Sequence, residues 1–298
     1  MVAYLKATAS KRSADKDKQR TKRLWPFFKG MVVNDVTAAD VRSYIQQRQV
    51  DGIANATINR ELALFSSAIN YANREWEWNL PNPVKGRKLK EPEGRVRWIT
   101  KEQAEDLIVA AEEEYRSPYL ADLIRVALNT GCRAEELMGL EWQRVNLRAN
   151  LIDLEAHHTK AGKRRSVPLN STARQAMIAR LRFRSQHCPA SPWVFARKTG
   201  KRVQSVKKAF GTACEKAGLV DFRFHDLRHT CAAWLVSSGA PLAEVRDLLG
   251  HSSVTMTEKY AHLHPENVRE TVGWLDALES RLSHVDGNEV LEEIDGVG

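Results

Sequence analysis

The sequence has no uninterrupted apolar run approaching the roughly 18 residues of a membrane-spanning helix. Its first residues, MVAYLKATASKRSADKDKQR, have no apolar core of the kind a secretory signal carries, so a cytoplasmic protein is expected. Cysteine is scarce: Cys132, Cys188, Cys214 and Cys231 are the only four in 298 residues, and no two stand at CxxC spacing. That excludes a disulfide framework and predicts four buried, incidental thiols in a reducing compartment. Apolar residues make up 43% and charged residues 28%. These proportions exclude a disordered chain, a collagen or a coiled-coil rod, and the length suggests about two domains.

Acidic residues are missing altogether between Glu155 and Glu215, where fourteen Lys and Arg stand. The net charge is +9 and it is unevenly placed. Residues 1–97 hold 19 basic and 10 acidic residues, and 160–275 hold 20 and 8. Between and after these zones the sign reverses, with 6 basic and 12 acidic residues in 98–159 and 1 and 7 in 276–298. A merely solvated surface intersperses both signs. Two basic zones parted by an acidic one fit a polyanion gripped at two places, and nucleic acid is the candidate partner.

The pattern is mainly α with a small β-sheet. The N-terminal part reads as all helical, with a basic, aromatic-ended helix at 17–28, one capped by Thr37 through Ile45, and a strongly periodic one at 56–78. Residues 81–97 (PNPVKGRKLKEPEGRVR) have linker composition. The predicted organisation is therefore 1–84 as a helical domain, 85–97 as linker, 98–284 as a second domain and 285–298 as an acidic, frayed tail. In the second domain, helices are expected at 100–114, 117–128, 133–140, 171–184, 203–217, 224–238, 242–249 and 266–283. Short strands are expected at 150–154, 156–160 and 164–169, with a hairpin turn at Lys160–Lys163.

Four local patterns follow one another: Thr130-Gly131-Cys132-Arg133-Ala134-Glu135-Glu136-Leu137; Thr159-Lys160 with Val167-Pro168-Leu169; His225-Asp226-Leu227-Arg228-His229; and Leu249-Gly250-His251, with Tyr260 nine residues after His251. Any one is weak. In this order, behind a basic helical domain, they resemble the tyrosine recombinase (phage integrase) family over about residues 10–265. The resemblance implies an all-helical core-binding (SAM-like) domain joined to an α+β catalytic domain, the two clamping duplex DNA.

It also implies a site-specific recombinase that cuts and rejoins DNA through a 3′-phosphotyrosyl intermediate, without metal or other cofactor, to integrate or excise a prophage or genomic island. A tyrosyl oxygen suits this chemistry because it is both nucleophile and tolerable leaving group. Tyr260 is then the nucleophile. Arg133 and Arg228 bind the scissile phosphate, as permanently charged, bidentate donors. His225, one helical turn from Arg228, is the candidate base, His251 a phosphate donor, and Lys160 the acid for the leaving 5′-oxygen. Glu136 orients Arg133, although Glu135 beside it is an alternative. His229 reads as a structural hydrogen-bonding residue; a metal shared with His225 is disfavoured by Arg228 between them.

Candidate DNA-phosphate contacts are Lys163, Arg164, Lys201, Arg202, Lys207 and Lys208. The resemblance further implies two protomers per site and a homotetramer at synapsis, a monomer or dimer when free, and accessory DNA-bending or directionality proteins. The helix Glu266–Leu282 would dock on a neighbouring protomer. No room for an arm-binding domain is read before residue 10. Two rival readings use the same residues: relaxation of DNA in the manner of a type IB topoisomerase, and a non-catalytic DNA-binding regulator.

Overall fold

The structure, a computed structural model, describes residues 1–11, 13–92, 94–156 and 164–264. The chain divides into two compact units, Met1–Gly94 and Arg95–Gly298.

The first unit is built from α1 (Val2–Ala7), α2 (Ala14–Phe28), α3 (Ala38–Val50) and α4 (Asn55–Glu75). α3 starts where Thr37 and Asp40 cap each other's backbone amides, satisfying two donors that the helix itself cannot. Along α4, Ile58, Leu62, Phe65, Ile69 and Ala72 recur at three- and four-residue spacing, and all are buried. They meet Leu24, Val41 and Tyr44, with Phe28 stacked between Tyr44 and Phe65. One carboxylate lies inside this core. Glu61, 2% exposed, accepts from the Tyr44 hydroxyl at 2.7 Å and from Arg48 Nε and Nη2 at 3.1 and 2.9 Å.

Residues 80–91, which read as the approach to a linker and its start, are held along α4. Asn73 brackets Leu80 with both amide atoms, Asn82 donates to Ser66 and Asn70, and Asn59 brackets Leu89 at 2.9 Å each way. Asparagine side chains thus serve a backbone too irregular to pair with itself, and the first unit extends to Gly94.

The second unit opens with α5 (Lys101–Glu112), capped by the reciprocal pair Thr100 and Gln103. α6 (Leu120–Thr130) starts later than its sequence suggests, because residues 117–119 form a turn and the Pro118 carbonyl accepts from Arg180. α7 (Ala134–Met138) follows, then an antiparallel sheet of β1 (Val145–Asn146), β2 (Leu151–Leu154) and β3 (Arg165–Pro168) in that order. Ile152 faces Val145 on one side and Val167 on the other. β1 escapes sequence reading because two residues show no alternation. Of the expected strand 156–160, residues 157–160 lie outside the described residues, as does the turn at Lys160–Lys163.

α8 (Ser171–His187) is capped by Asn170, and α9 (Lys207–Lys216), α10 (Asp226–Ser237), α11 (Leu242–Leu249) and α12 (Thr255–Glu258) complete the unit. α9 starts at 207 rather than 203, since Ala196 and Arg202 form a β-bridge. α6 is the central helix, its Leu120, Leu123 and Ile124 wholly buried against α5, α8 and α10. A second cluster joins Ala232, Val236, Val245 and Leu249 to Tyr260. The expected helix 266–283 and the tail lie outside the described residues. Among the described residues no helix is long and apolar enough to cross a membrane, and the four cysteines are buried and free.

Truncating Arg48 leaves Glu61 charged and buried with only Tyr44. Removing one partner of a buried ion pair costs about 3–5 kcal/mol. Arg48→Ala is therefore expected to lower the free energy of unfolding of the first unit, from its urea midpoint and slope followed by tryptophan fluorescence, by an amount in that range. An unchanged midpoint would show that the pair contributes nothing.

Candidate active site

Two helix ends and two loops bring the site together. α6 ends at Gly131 and α11 at Gly250, both in the left-handed conformation with φ of 61° and 64°. Their carbonyls are turned onto arginines: Gly131 accepts from Arg228 Nη1 at 2.7 Å and Gly250 from Arg133 Nη2 at 3.2 Å. A Cβ at Gly131 would come within 2.3 Å of Leu249, so the position requires glycine on steric grounds as well.

Arg133 precedes α7 and is tied to Glu136 twice, by its backbone amide at 2.9 Å and by Nη1 at 2.9 Å. Glu136 is 3% exposed and also takes Arg165 Nη1 and Nη2 at 3.2 and 2.7 Å. It is Glu136, not Glu135, that holds Arg133; Glu135 pairs with Arg202 near the surface. Among the described residues, Arg228, in the first turn of α10 and 4% exposed, is paired with no carboxylate, and its Nη2 has no hydrogen-bond partner. Burial and the neighbouring Arg133 lower its pKa to about 10.

His225 stands at the start of α10, where partial loss of solvent around the ring and then the charge of Arg228 hold its imidazole below the ordinary value. His251 follows Gly250 and is oriented by the fully buried Thr257, its Nδ1 2.9 Å from Thr257 Oγ1. Burial first, then Arg228 and Lys259, hold His251 at about 4. Tyr260 is 1% exposed. Its hydroxyl is hydrogen-bonded to His229 Nδ1, and among the described residues no bond joins it to His225. Burial pushes the phenol up, against the pull of Arg228.

Arg133, His225, Arg228, His251, Tyr260 and Glu136 thus belong to one cluster. Lys160 and Lys163 lie outside the described residues. Arg164 lines an open depression with Arg165, Arg246, Gly250, His251 and Ser252. Lys201, Lys207 and Lys208 are exposed, the last two opening α9. Arg202 is engaged within the protein, donating to the Met138 carbonyl at 3.0 Å and packing over Trp193. Sequence reading assigned no role to Arg165, one more cation in a basic run. Nothing local pairs it with Glu136, 29 residues earlier.

The depressed histidines make stability depend on pH. In the unfolded chain they titrate near about 6.5, whereas His229 and His251 are held at about 3 and about 4. Between those values the unfolded chain binds more protons, so stability falls as pH drops from 6.5 toward 4. Glu136, whose carboxyl is held low by both arginines against the cost of burial, loses its contribution at still lower pH. The melting temperature is expected to fall between pH 7 and 4.5, and less steeply in His251→Asn. Equal slopes would contradict the assignment.

The profile of the phage integrase family matches residues 97–267, and that of the phage integrase N-terminal domain matches residues 3–90. The chain is 28% identical to the integrase of Salmonella phage P22, over 93% of this chain and 79% of that protein. It is also 28% identical to the tyrosine recombinase XerC of Azotobacter vinelandii, over 76% of each. In fold it is similar to lambda integrase (75–356), solved as a dimer bound to a COC′ core site, with a TM-score of 0.72, 18% identity and coverage of 89% of this chain and 95% of that one. With its four motifs in order along the sequence, and the first, third and fourth of them gathered into one arginine-rich cluster, the chain belongs to the phage integrase family of tyrosine recombinases.

Proposed function

We propose that this protein is a tyrosine-type site-specific recombinase that cuts and rejoins duplex DNA through a 3′-phosphotyrosyl intermediate, serving integration or excision of a prophage or genomic island. The reading is carried by Arg228. A buried guanidinium with one open donor and no carboxylate is completed by an anion from outside. A phosphodiester supplies that anion, and Arg133 beside it supplies the second guanidinium.

The chemistry balances with this chain's own residues. The Tyr260 oxygen forms a bond to phosphorus as the bond to the 5′-oxygen breaks. The phenol proton passes to a base, and Lys160 protonates the leaving oxygen. Arg133 and Arg228 hold the non-bridging oxygens as charge builds on them, and His251, set by Thr257, donates a further bond. Glu136 keeps Arg133 in place. A 5′-hydroxyl of the partner duplex then reverses the attack. The phosphodiester energy stays in the phosphotyrosine, so no nucleotide or metal is needed.

Arg164, Lys201, Lys207 and Lys208 would contact flanking phosphates. Two protomers per site and a homotetramer at synapsis fit the similar proteins solved as a dimer on a core site and as a tetramer on a Holliday junction. The four buried free thiols support action in the cytoplasm.

Covalent trapping tests the reading. Incubated with randomised duplexes carrying nicks, the protein is expected to form an SDS-resistant adduct through Tyr260. Tyr260→Phe should form none while binding the same duplexes within about twofold, and Arg228→Ala should slow adduct formation by about 10²–10³. Joining of strands from two duplexes separates recombination from simple relaxation. An adduct through another residue, or none from protein that binds tightly, would overturn the proposal.

A further inference from the structure

We infer that His229 is a further catalytic residue: it holds the Tyr260 hydroxyl and receives its proton as the tyrosine attacks DNA. The inference rests on Tyr260 being the nucleophile, as proposed above. Its ground is geometric. His229 lies one residue beyond Arg228 in the first turn of α10, half-buried, with Nδ1 in a hydrogen bond to the Tyr260 hydroxyl. Its ring stands edge-on to His225, 5.2 Å between centroids, while His225 itself has no bond to the phenol among the described residues.

The groups facing His229 explain why it rests neutral and therefore able to accept. Arg228 and His225 on its own helix, Lys259 beside Tyr260, and His251 beyond α11 all oppose a positive charge there, after burial itself, and hold it at about 3. At that value it is a weak base, and the phenol it faces is pushed up. Neither group ionises in the DNA-free site. A phosphodiester between Arg133 and Arg228 adds negative charge to the same cluster and favours a protonated His229.

The step then balances: the phenol proton moves to Nδ1, the oxygen–phosphorus bond forms, and the bond to the 5′-oxygen breaks. On resealing, the proton returns from Nδ1 to the tyrosine oxygen as it leaves. His225, at the open edge beside Arg228, is left for the phosphate.

The test is single-turnover adduct formation on a nicked duplex, from pH 5.5 to 9, for the wild type, His229→Asn and Tyr260→Phe. Asparagine places an amide near the position of Nδ1 but accepts no proton in this range. His229→Asn is expected to keep duplex affinity and melting temperature and to lose about 100-fold or more in rate at pH 7. Its rate should climb steadily with pH, where the wild type levels off. A residue that only positions the tyrosine would lower the rate without changing that slope. Wild-type rate or an unchanged profile in His229→Asn, with no adduct from Tyr260→Phe, would overturn the role of His229 alone. An adduct from Tyr260→Phe would instead overturn the nucleophile. Should the asparagine variant not melt as the wild type does, His229→Gln is read in the same way.

Discussion

The site depends on one buried carboxylate. Glu136 is shared by Arg133 and Arg165, each bonded to it, and nothing comparable serves Arg228. Three guanidiniums with one counterion is an unfavourable state for a protein interior. The fold meets part of that cost with backbone carbonyls, turning Gly131 toward Arg228 and Gly250 toward Arg133. Both turns need φ values that a side chain makes costly, which ties glycine at two helix ends to arginines far away in sequence. Among the described residues, Arg228 Nη2 and Arg165 Nε are left without a partner.

Burial and the same surplus charge act together on the titratable groups nearby. His225, His229 and His251 are all held below their ordinary values, and the phenol of Tyr260 above its own. Without DNA the cluster therefore contains neutral imidazoles and a neutral, buried tyrosine. Burial is the largest cause for each, and the arginines add to it for the histidines while opposing it for the tyrosine. A phosphodiester reverses the electrostatic part for the histidines. On the proposed role of His229, the charge that lets proton transfer begin would come from the substrate.

Much of this was legible in the sequence, because a chemical pattern survives without a structure when its members lie within a helical turn or follow one another in order. His225 and Arg228, Arg133 and Glu136, and His251 and Tyr260 are of that kind. The mainly helical organisation was legible through the apolar stripe of α4 and the caps at Thr37 and Thr100. What was not legible is long-range. Arg165 stands in a basic run that gives no sign of Glu136, and the partner of His229 comes 31 residues later. The carbonyls of Gly131 and Gly250 are backbone groups, which composition cannot single out. Residues 80–91 carry a linker's prolines and charges, yet asparagine side chains bind them to α4, since composition reports solvation and not pairing.

The most direct test of the account is the crystal structure of Tyr260→Phe on a duplex selected by its binding. The account predicts the scissile phosphate between Arg133 and Arg228, with Arg228 Nη2 at hydrogen-bond distance from a non-bridging oxygen and Glu136 still joined to Arg133 and Arg165. A phosphate seated elsewhere, with Arg228 Nη2 unpaired or bonded within the protein, would contradict it.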